Sequence, residues 1–398
     1  MKVLRAALSL TLLASALAAQ DSTSTPASAP DVPWRTSYFP YVTVSPNDGL
    51  MGIGRVLFFR QANYDDRVSL RDAIALEGGY STKDAWLLRG RVDMPKLRDG
   101  WRLAASVETG KQPNFGVPGG SLSRTRSVGW VDVTRRLKGP LQFAVRGGVD
   151  HQRVSGDVNL YYRYPRTTFS SPGCPPEMLC ASTTELSTSQ TDVNARAAFV
   201  VDLRDREFDT RQGALFEAGF FAGSGGGEQG YHGVYGMARG WYSPRRGTRL
   251  TARVAAMGVS ETDAIGIMNE MPAWESPVTT FGGPTSHRGL GIGQVSGRGG
   301  YLAGAEIRHD LLNVGELGAI TAVVFVDGMA PYRDRPTVDD PLPGTPWKDI
   351  PKARSLDDWT IGAGGGIAIR VLRSAQLTIT AARGAGVTRW YVSSGWSW

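Results

Sequence analysis

Apolar and polar side chains alternate along most of the chain from about residue 36. Between Trp101 and Glu108, apolar residues at odd positions alternate with mainly polar residues at even positions, and 83–94 and 140–154 are similar. A period of two residues predicts β-strands with one apolar face. Soluble β-sandwiches alternate as well. The aromatic residues near the predicted strand ends favour a barrel in a membrane, where such residues form interfacial girdles.

Turn-forming residues divide the alternating region into about sixteen strands. We expect the strands at 36–46, 50–60, 70–80, 83–94, 100–109, 124–136, 140–154, 190–204, 213–224, 230–243, 247–258, 298–310, 317–328, 358–370, 375–384 and 388–398. The connections after odd-numbered strands include the long ones, at 110–123, 155–189, 259–297 and 329–357. Short periplasmic turns and long external loops are typical of outer-membrane barrels. The sequence therefore predicts an all-β fold, a transmembrane antiparallel β-barrel of about 16 strands.

The start of the chain predicts export. Lys2 and Arg5 precede or flank a short apolar run that ends at Leu17, so we expect residues 1–18 to be a signal peptide. Residues 19–35 are rich in Ser, Thr, Pro and Ala and predict a disordered leader. The barrel would then occupy residues 36–398. No later apolar run approaches the ~18 residues of a membrane helix, so we expect the chain to reach the cell outer membrane as a barrel.

Charge and cysteine content narrow the possible partners. The formal charge is +7, but the 44 Lys and Arg residues are spread along the chain, which favours a polar lumen and contact with outer-membrane lipid over nucleic acid. Cys174 and Cys180 are the two cysteines, and an even count in an exported chain favours a disulfide. They are too few for a zinc site, which needs about four ligands. We expect neither a metal nor a cofactor.

The connection 259–297 contains the most informative segment, Phe-Gly-Gly-Pro-Thr-Ser-His-Arg-Gly-Leu at 281–290. Long connections without strand periodicity are usually functional or disordered. Downstream, a predicted strand ends in Phe-Val-Asp-Gly at 325–328. The two segments resemble the BamA/TamA superfamily of outer-membrane barrels, also called the bacterial surface antigen family, with its Gly-Gly-x-x-Ser-x-Arg-Gly-aromatic loop and Phe-x-Asp-x-Gly strand. The matching residues are Gly282, Gly283, Ser286, Arg288, Gly289, Phe325 and Asp327, whereas Leu290 and Met329 depart from the pattern.

The resemblance implies that the loop between strands eleven and twelve folds inward into the lumen. Arg288 would then pair with Asp327, because a guanidinium grips a carboxylate through two parallel N–H bonds. Glu306, on the lumen face of strand twelve, is a second candidate acceptor, although a wide barrel would equally leave it solvated. In a wet lumen we expect the loss of Arg288 to cost about 1–3 kcal/mol. The alternative is a solvent-facing Arg288 on a mobile loop.

Two further segments resemble the same superfamily. Asp202, Arg204 and Asp205 are followed by Gly213 at a strand–turn–strand, which favours a structural role in a tight turn, although Thr210 stands where Pro is common. Trp396 and Trp398 end the chain and are similar to the terminal aromatic signal that assembly machinery reads on barrel substrates, although an ordinary closing strand has the same pattern. The glycines at 362–366 have no helix after them, so they indicate close packing of another segment more than a nucleotide loop.

The chemistry of the chain does not predict an enzyme. The four histidines lie in different strands or loops, and the sequence has neither Gly-x-Ser-x-Gly nor a helical His-Glu-x-x-His. The resemblance implies a barrel that assists insertion or translocation of proteins, with client barrel proteins or a separate periplasmic partner. Superfamily members with that activity carry periplasmic modules, and residues 19–35 are too short to hold one. The alternative is a structural barrel or passive channel without assembly activity.

Overall fold

The computed structural model describes most of the chain from residue 32 onwards, namely residues 32–63, 66–115, 121–159, 183–226, 230–260, 270–274, 278–292, 299–315, 317–332, 359–371 and 375–394. The predicted signal peptide and most of the predicted leader lie outside the described residues. So do the predicted disulfide of Cys174 with Cys180 and the predicted terminal signal of Trp396 and Trp398.

The described residues form β-strands and no helices. Sixteen strands form one closed barrel in which all neighbours are antiparallel, so the prediction of an all-β barrel of about 16 strands is confirmed. The barrel strands are β1 (Arg35–Ser45), β2 (Gly49–Gln61), β3 (Leu70–Ser81), β4 (Trp86–Arg98), β5 (Trp101–Phe115), β6 (Ser121–Lys138), β7 (Leu141–Asn159), β8 (Thr183–Asp202), β9 (Gly213–Gly223), β10 (Tyr231–Arg245), β11 (Thr248–Val259), β14 (Gly299–Asn313), β15 (Gly318–Tyr332), β16 (Thr360–Val371), β17 (Ala375–Gly384) and β18 (Val387–Ser394). Two short strands, β12 (Glu270–Pro272) and β13 (Val278–Thr280), pair with each other in the connection between β11 and β14.

The barrel is apolar outside and polar inside. Leu88 and Val107 are 57% and 69% exposed on the outer face, whereas Arg146, Arg196 and Asp132 are buried on the inner face. A soluble protein rarely exposes so many large apolar side chains together. The alternation is instead typical of a wall that faces lipid on one side and a polar lumen on the other. No helix in the described residues is long and apolar enough to cross a membrane.

Three strands extend well beyond the predicted bounds. β5, β7 and β8 contain 15, 19 and 20 residues, whereas a strand needs only about 9–11 residues to cross a bilayer. The additional residues lie at the end with the long connections, where the stretch 187–190 reads Ser-Thr-Ser-Gln and has no apolar face. Alternation ends where both faces are polar, so the pattern indicated 155–189 as a connection although the strand pairing continues.

The barrel closes at a seam, which we define as the contact between β1 and β18. In the described residues the seam has a single register pair, Val44 with Val392. By comparison, β1 pairs with β2 along its whole length, and β17 pairs with β18 from Leu377 to Gly384. The seam therefore has the shortest ladder of the barrel in the part of the chain that the structure describes.

Candidate functional site

The connection between β11 and β14 folds into the barrel and crosses the lumen. We call its described parts, residues 270–274 and 278–292, the lumen loop. Met271, Phe281 and Leu290 are almost completely buried, at 0%, 1% and 3% exposure. They pack in one cluster with wall residues such as Tyr235 and Leu302. The loop is thus part of the protein core rather than a surface excursion.

Arg288 binds two carboxylates on the wall. Its Nε donates to Asp327 Oδ2 at 2.8 Å and its Nη2 to Asp327 Oδ1 at 3.0 Å, which is the two-point grip of a guanidinium on a carboxylate. The backbone N–H of Arg288 donates to Asp327 Oδ2 at 3.1 Å. Nη1 donates to Glu306 Oε2, and Arg308 Nε donates to the other oxygen of Glu306. We call Arg288, Glu306 and Asp327 the Arg288 cluster.

The strand register brings the acceptors together. Glu306 on β14 lies opposite Phe325 on β15, and Asp327 follows Phe325 by two residues on the same face. The Arg288 guanidinium carbon lies 3.3 Å from the centre of the Phe325 ring, so the ring supports the flat face of the cation. The matching residues Phe325 and Asp327 of the sequence motif therefore hold one face and one edge of the same guanidinium.

The Arg288 cluster is drier than the sequence suggested. Arg288, Glu306 and Asp327 are 2%, 1% and 0% exposed. Glu306 is an acceptor for Arg288, so the alternative of a solvated Glu306 does not hold. The modest contribution expected in a wet lumen does not hold either, because all three side chains are buried. A buried ion pair whose partner is removed leaves an uncompensated charge, which costs more than an exposed pair.

The first part of the motif gives the lumen loop its tight turn. Gly282 and Gly283 have φ angles of +92° and +97°, which other residues rarely adopt. The Gly283 N–H donates to the carbonyls of His287 and Leu290 at 3.1 and 3.0 Å, so the loop closes on itself. Ser286 is completely buried, and its Oγ has no hydrogen-bond partner among the described residues.

Gly289 allows the loop backbone to touch the wall. A Cβ at Gly289 would lie 2.8 Å from Gly384 Cα and 3.1 Å from Gly362 Cα. Gly362 and Gly384 are themselves a register pair between β16 and β17. The first residue of the glycine stretch 362–366 thus receives another segment at close range, which is what glycines on a strand often permit.

Wall side chains hold the loop carbonyls. On β11, Arg253 donates to Thr285 O at 2.5 Å and to Ser286 O. On β18, Arg389 Nη1 donates to Gly289 O at 2.6 Å, and the Tyr391 hydroxyl donates to Leu290 O at 2.5 Å. These contacts attach the backbone of the motif to β11 and β18 in addition to β15.

The turn between β1 and β2 also holds the loop. Asn47 Oδ1 accepts from Ile292 N at 3.2 Å, and Asn47 Nδ2 donates to Ile292 O at 3.4 Å. Because Arg389 and Tyr391 belong to β18, the lumen loop is attached to both sides of the seam. These three wall residues carry no local motif, and 245 residues separate Asn47 from Ile292, so sequence reasoning did not find them.

The other end of the lumen loop binds the far wall, which sequence reasoning also missed. Glu270 Oε1 accepts from Arg126 Nη1 at 2.8 Å and from Arg124 Nη1 at 3.3 Å. Trp274 donates its backbone N–H to Glu217 at 2.8 Å and its indole N–H to Thr134 at 3.0 Å. One signal was present, because Trp274 is the one tryptophan in the connection 259–297.

His287 is a buried group inside the loop. Its Nε2 donates to the Thr360 carbonyl at 2.9 Å, and its Nδ1 has no partner among the described residues. Burial lowers the pKa of His287 below its usual value of 6.5, so the ring is neutral at neutral pH. No group of three or more His, Cys, Asp or Glu within the described residues could hold a metal ion.

The second sequence motif forms the turn between β8 and β9. Asp202 Oδ1 accepts from the backbone N–H and the Nε of Arg204 at 3.1 and 3.0 Å, and both side chains are buried. Asp205 Oδ1 accepts from the N–H groups of Arg206 and Arg211. A Cβ at Gly213 would lie 2.3 Å from the Leu203 carbonyl oxygen. These contacts favour the structural role that the motif suggested, at a distance from the Arg288 cluster.

Solved structures with the same arrangement identify the fold. BamA from Haemophilus ducreyi lacking POTRA domains 1–3 matches with a TM-score of 0.57 at 12% identity, over 92% of this chain and 70% of that one. CdiB from Escherichia coli matches with a TM-score of 0.55 at 13% identity, over 92% of this chain and 63% of that one. The chain has the BamA-type barrel fold. No protein-family model and no curated protein matches the sequence.

The chain spans less than two thirds of the CdiB chain. Both solved structures contain parts that this barrel does not match, so the likeness concerns the barrel. The activity of the complete proteins enters only as a proposal.

Proposed function

We propose that this chain is a barrel of the outer membrane that assists the insertion or translocation of proteins. The observation that carries the proposal is the seam, together with the lumen loop attached on both sides of it. The likeness to the BamA and CdiB barrels supports the same class of function. The apolar outer face supports a location in a membrane.

A short seam ladder favours exchange of hydrogen bonds with another strand. Backbone N–H and C=O groups at a strand edge are templates for pairing with a further chain. In hydrocarbon an unpaired edge is costly, so β1 and β18 gain when an incoming strand completes their ladders. Among the described residues, the single register pair between Val44 and Val392 leaves fewer ladder bonds to break at the seam than at the other strand pairs of the barrel.

The lumen loop contacts the strands on both sides of the seam, and these contacts do not require the seam to be closed. Asn47 attaches it to the β1–β2 turn and Arg389 attaches it to β18, while Arg288 fixes it to β15. If the first and last strands separate, the barrel is no longer closed. The lumen loop, which contacts both sides of the seam, would then hold these strands near each other and offset part of the lost stability. Client barrel proteins are the partners that this geometry fits, and a separate periplasmic partner would deliver them.

Cross-linking the seam tests the proposal. In a Cys174→Ser, Cys180→Ser background, Val44→Cys with Val392→Cys should form a disulfide across the seam. We expect assembly activity in the native organism to fall under oxidising conditions and to return after reduction. The matched control is Phe58→Cys with Ile74→Cys, which joins two strands that are already fully paired.

Depletion of the chain, followed by a census of outer-membrane proteins, separates the two functional classes. Loss of other barrels from the membrane is the expected result. An unchanged census, together with normal growth of the seam-linked variant, would favour the structural barrel or passive channel. Recovery of the protein in the soluble periplasmic fraction without detergent would contradict the membrane location itself.

A further inference from the structure

A cavity of about 450 Å³ lies in the lumen, between the lumen loop and the short-turn end of the barrel. Trp274 and Thr285 of the lumen loop line it on one side. Val68, Glu207 and Phe208, which belong to connections at the short-turn end, line it on the other. We call this cavity the basic vestibule. Its volume is in the range of sites that bind small organic molecules.

Arginine dominates the charge of the basic vestibule. The lining contains five arginines but only three carboxylates, those of Asp93, Asp132 and Glu207. The five arginines are Arg91, Arg102, Arg146, Arg239 and Arg253. The nearby acids of the Arg288 cluster do not offset this excess, because Arg288 and Arg308 already bind them. A partly enclosed cavity with one sign of charge concentrates ions of the opposite sign.

Arg146 has donor capacity that the protein does not use. Its Nε donates to Asp132 at 3.1 Å and its Nη2 to the Trp274 carbonyl at 3.2 Å. Its Nη1 has no hydrogen-bond partner among the described residues, although Arg146 is only 7% exposed. A buried N–H group without an acceptor is unfavourable, and an acceptor from outside the chain would relieve it.

Aromatic side chains hold the guanidinium groups in place. The Arg146 guanidinium lies 4.0 Å from the centre of the Trp130 ring, and the Arg102 guanidinium lies 5.2 Å from Trp274. Arg102 also donates to Glu207 at 2.7 Å, which holds it at the short-turn end of the basic vestibule. Stacking orders the flat face of the Arg146 guanidinium and leaves its Nη1 for a hydrogen bond, so less entropy is lost when an anion binds.

We propose that the basic vestibule is a binding site for oxyanions, namely the phosphate or carboxylate groups of a small polyvalent ligand. Guanidinium edges match the oxygen pairs of both groups, which an isolated ammonium does not. The ligand is either a free small anion or an acidic stretch of polypeptide that enters from the short-turn end. The site is independent of whether the barrel assembles other proteins.

Binding to the purified full chain in detergent micelles tests the site. Pyrophosphate and citrate represent free anions, and an extended peptide rich in Asp and Glu represents the polypeptide. Titration calorimetry gives the affinity, and tryptophan fluorescence reports the site because Trp130 and Trp274 line it. Arg146→Gln should weaken binding of the preferred ligand about tenfold, the effect expected for a lost charge-assisted hydrogen bond. Arg239→Gln removes a second lining charge and should act in the same direction.

Arg55→Gln is the matched control. Arg55 faces the same lumen and pairs with Glu77 at 3.5 Å, but it does not line the basic vestibule. Its loss should leave the affinity unchanged, and heat-modifiable migration on gels should verify that all three variants fold. Tighter binding of the peptide than of the free anions would assign the site to polypeptide, and the reverse order to a free metabolite-sized anion. Absence of saturable binding for every probe, or equal weakening by Arg55→Gln and Arg146→Gln, would overturn the proposal.

Discussion

Replacement of Arg288 by Ala is the most direct perturbation of the lumen loop. The substitution removes every side-chain bond to Asp327 and one bond to Glu306, while the wall and the rest of the loop stay unchanged. Asp327 would retain one hydrogen bond, from the backbone N–H of residue 288. It would have no other partner on the lumen loop. Glu306 would keep Arg308. The cost therefore falls mainly on Asp327.

Burial sets the magnitude of this cost. An exposed ion pair contributes about 0–1 kcal/mol, whereas removing one partner of a buried pair costs about 3–5 kcal/mol. Asp327 is 0% exposed, so the second range applies, and the value inferred for a wet lumen is too low. We expect the ratio of docked to released loop to fall by about two to four orders of magnitude. Arg288→Lys should recover little, because an ammonium cannot form the parallel pair of bonds.

Hydrogen exchange of the backbone amides in 281–292 measures loop release directly. Protection of these amides in detergent micelles should fall in Arg288→Ala, while protection in distant strands such as β3 should not change. A double-mutant cycle with Asp327→Asn isolates the pair from other effects of each substitution. Lys96→Ala is the control, because its pair with Asp66 is part-exposed and should contribute no more than about 1 kcal/mol.

The reasoning would be refuted by a coupling energy between Arg288 and Asp327 that is indistinguishable from zero. Unchanged protection of 281–292 in Arg288→Ala would have the same meaning. Either result would show that packing of Phe281 and Leu290, and not the ion pair, holds the loop in the lumen. Loss of protection throughout the barrel would instead show that the cluster supports the whole fold.

Three further predictions concern the same region and the segment around the cysteines. Gly289→Ala should destabilise the docked loop by about 1–3 kcal/mol, since the new Cβ would meet the Gly384 backbone. The control is Gly52→Ala, which has open space around it and should leave hydrogen exchange of the loop unchanged. Because burial lowers the pKa of His287, the released loop binds more protons than the docked one as pH falls below about 6.5. Docking should therefore weaken with acidification, and His287→Gln should remove this dependence; loop exchange that is independent of pH in the unmodified chain would argue against it. Cys174 and Cys180 should form a disulfide that adds local order only, and two free thiols by mass spectrometry of protein from the cell envelope would contradict it.

The architecture could be predicted from the sequence because one physical constraint acts on nearly every strand. A lipid-facing wall requires apolar side chains at alternate positions, and the pattern between Trp101 and Glu108 follows directly from it. Strand segments that lack this alternation cannot be recognised from the sequence pattern. In the outer part of β8, residues 187–190 are polar on both faces, so nothing in this stretch distinguishes a paired strand from a polar connection.

The candidate site could be predicted only in part, for a related reason. Arg288 and Asp327 belong to short motifs whose residue types have a specific geometric purpose. The other contacts depend on where the wall places a side chain. Tyr391 is an ordinary aromatic residue in the sequence, and its contact with Leu290 depends on barrel closure, which brings β18 near β15 through β16 and β17. Burial of the cluster likewise follows from the path of 270–274, which has no motif.

The distribution of charge explains why the lumen loop adopts one orientation. On the wall formed by β6 to β8, Arg124, Arg126 and Arg196 meet the loop, which supplies Glu270 and the Ala273 carbonyl as acceptors. On the wall formed by β14 and β15, the acids Glu306 and Asp327 face the lumen, and the loop supplies Arg288. A loop turned end to end would place Arg288 against arginines and Glu270 against carboxylates, and like charges repel strongly at positions as buried as these. The barrel therefore selects one docked conformation by charge, and close contacts such as that of Gly289 with Gly384 fix it in position.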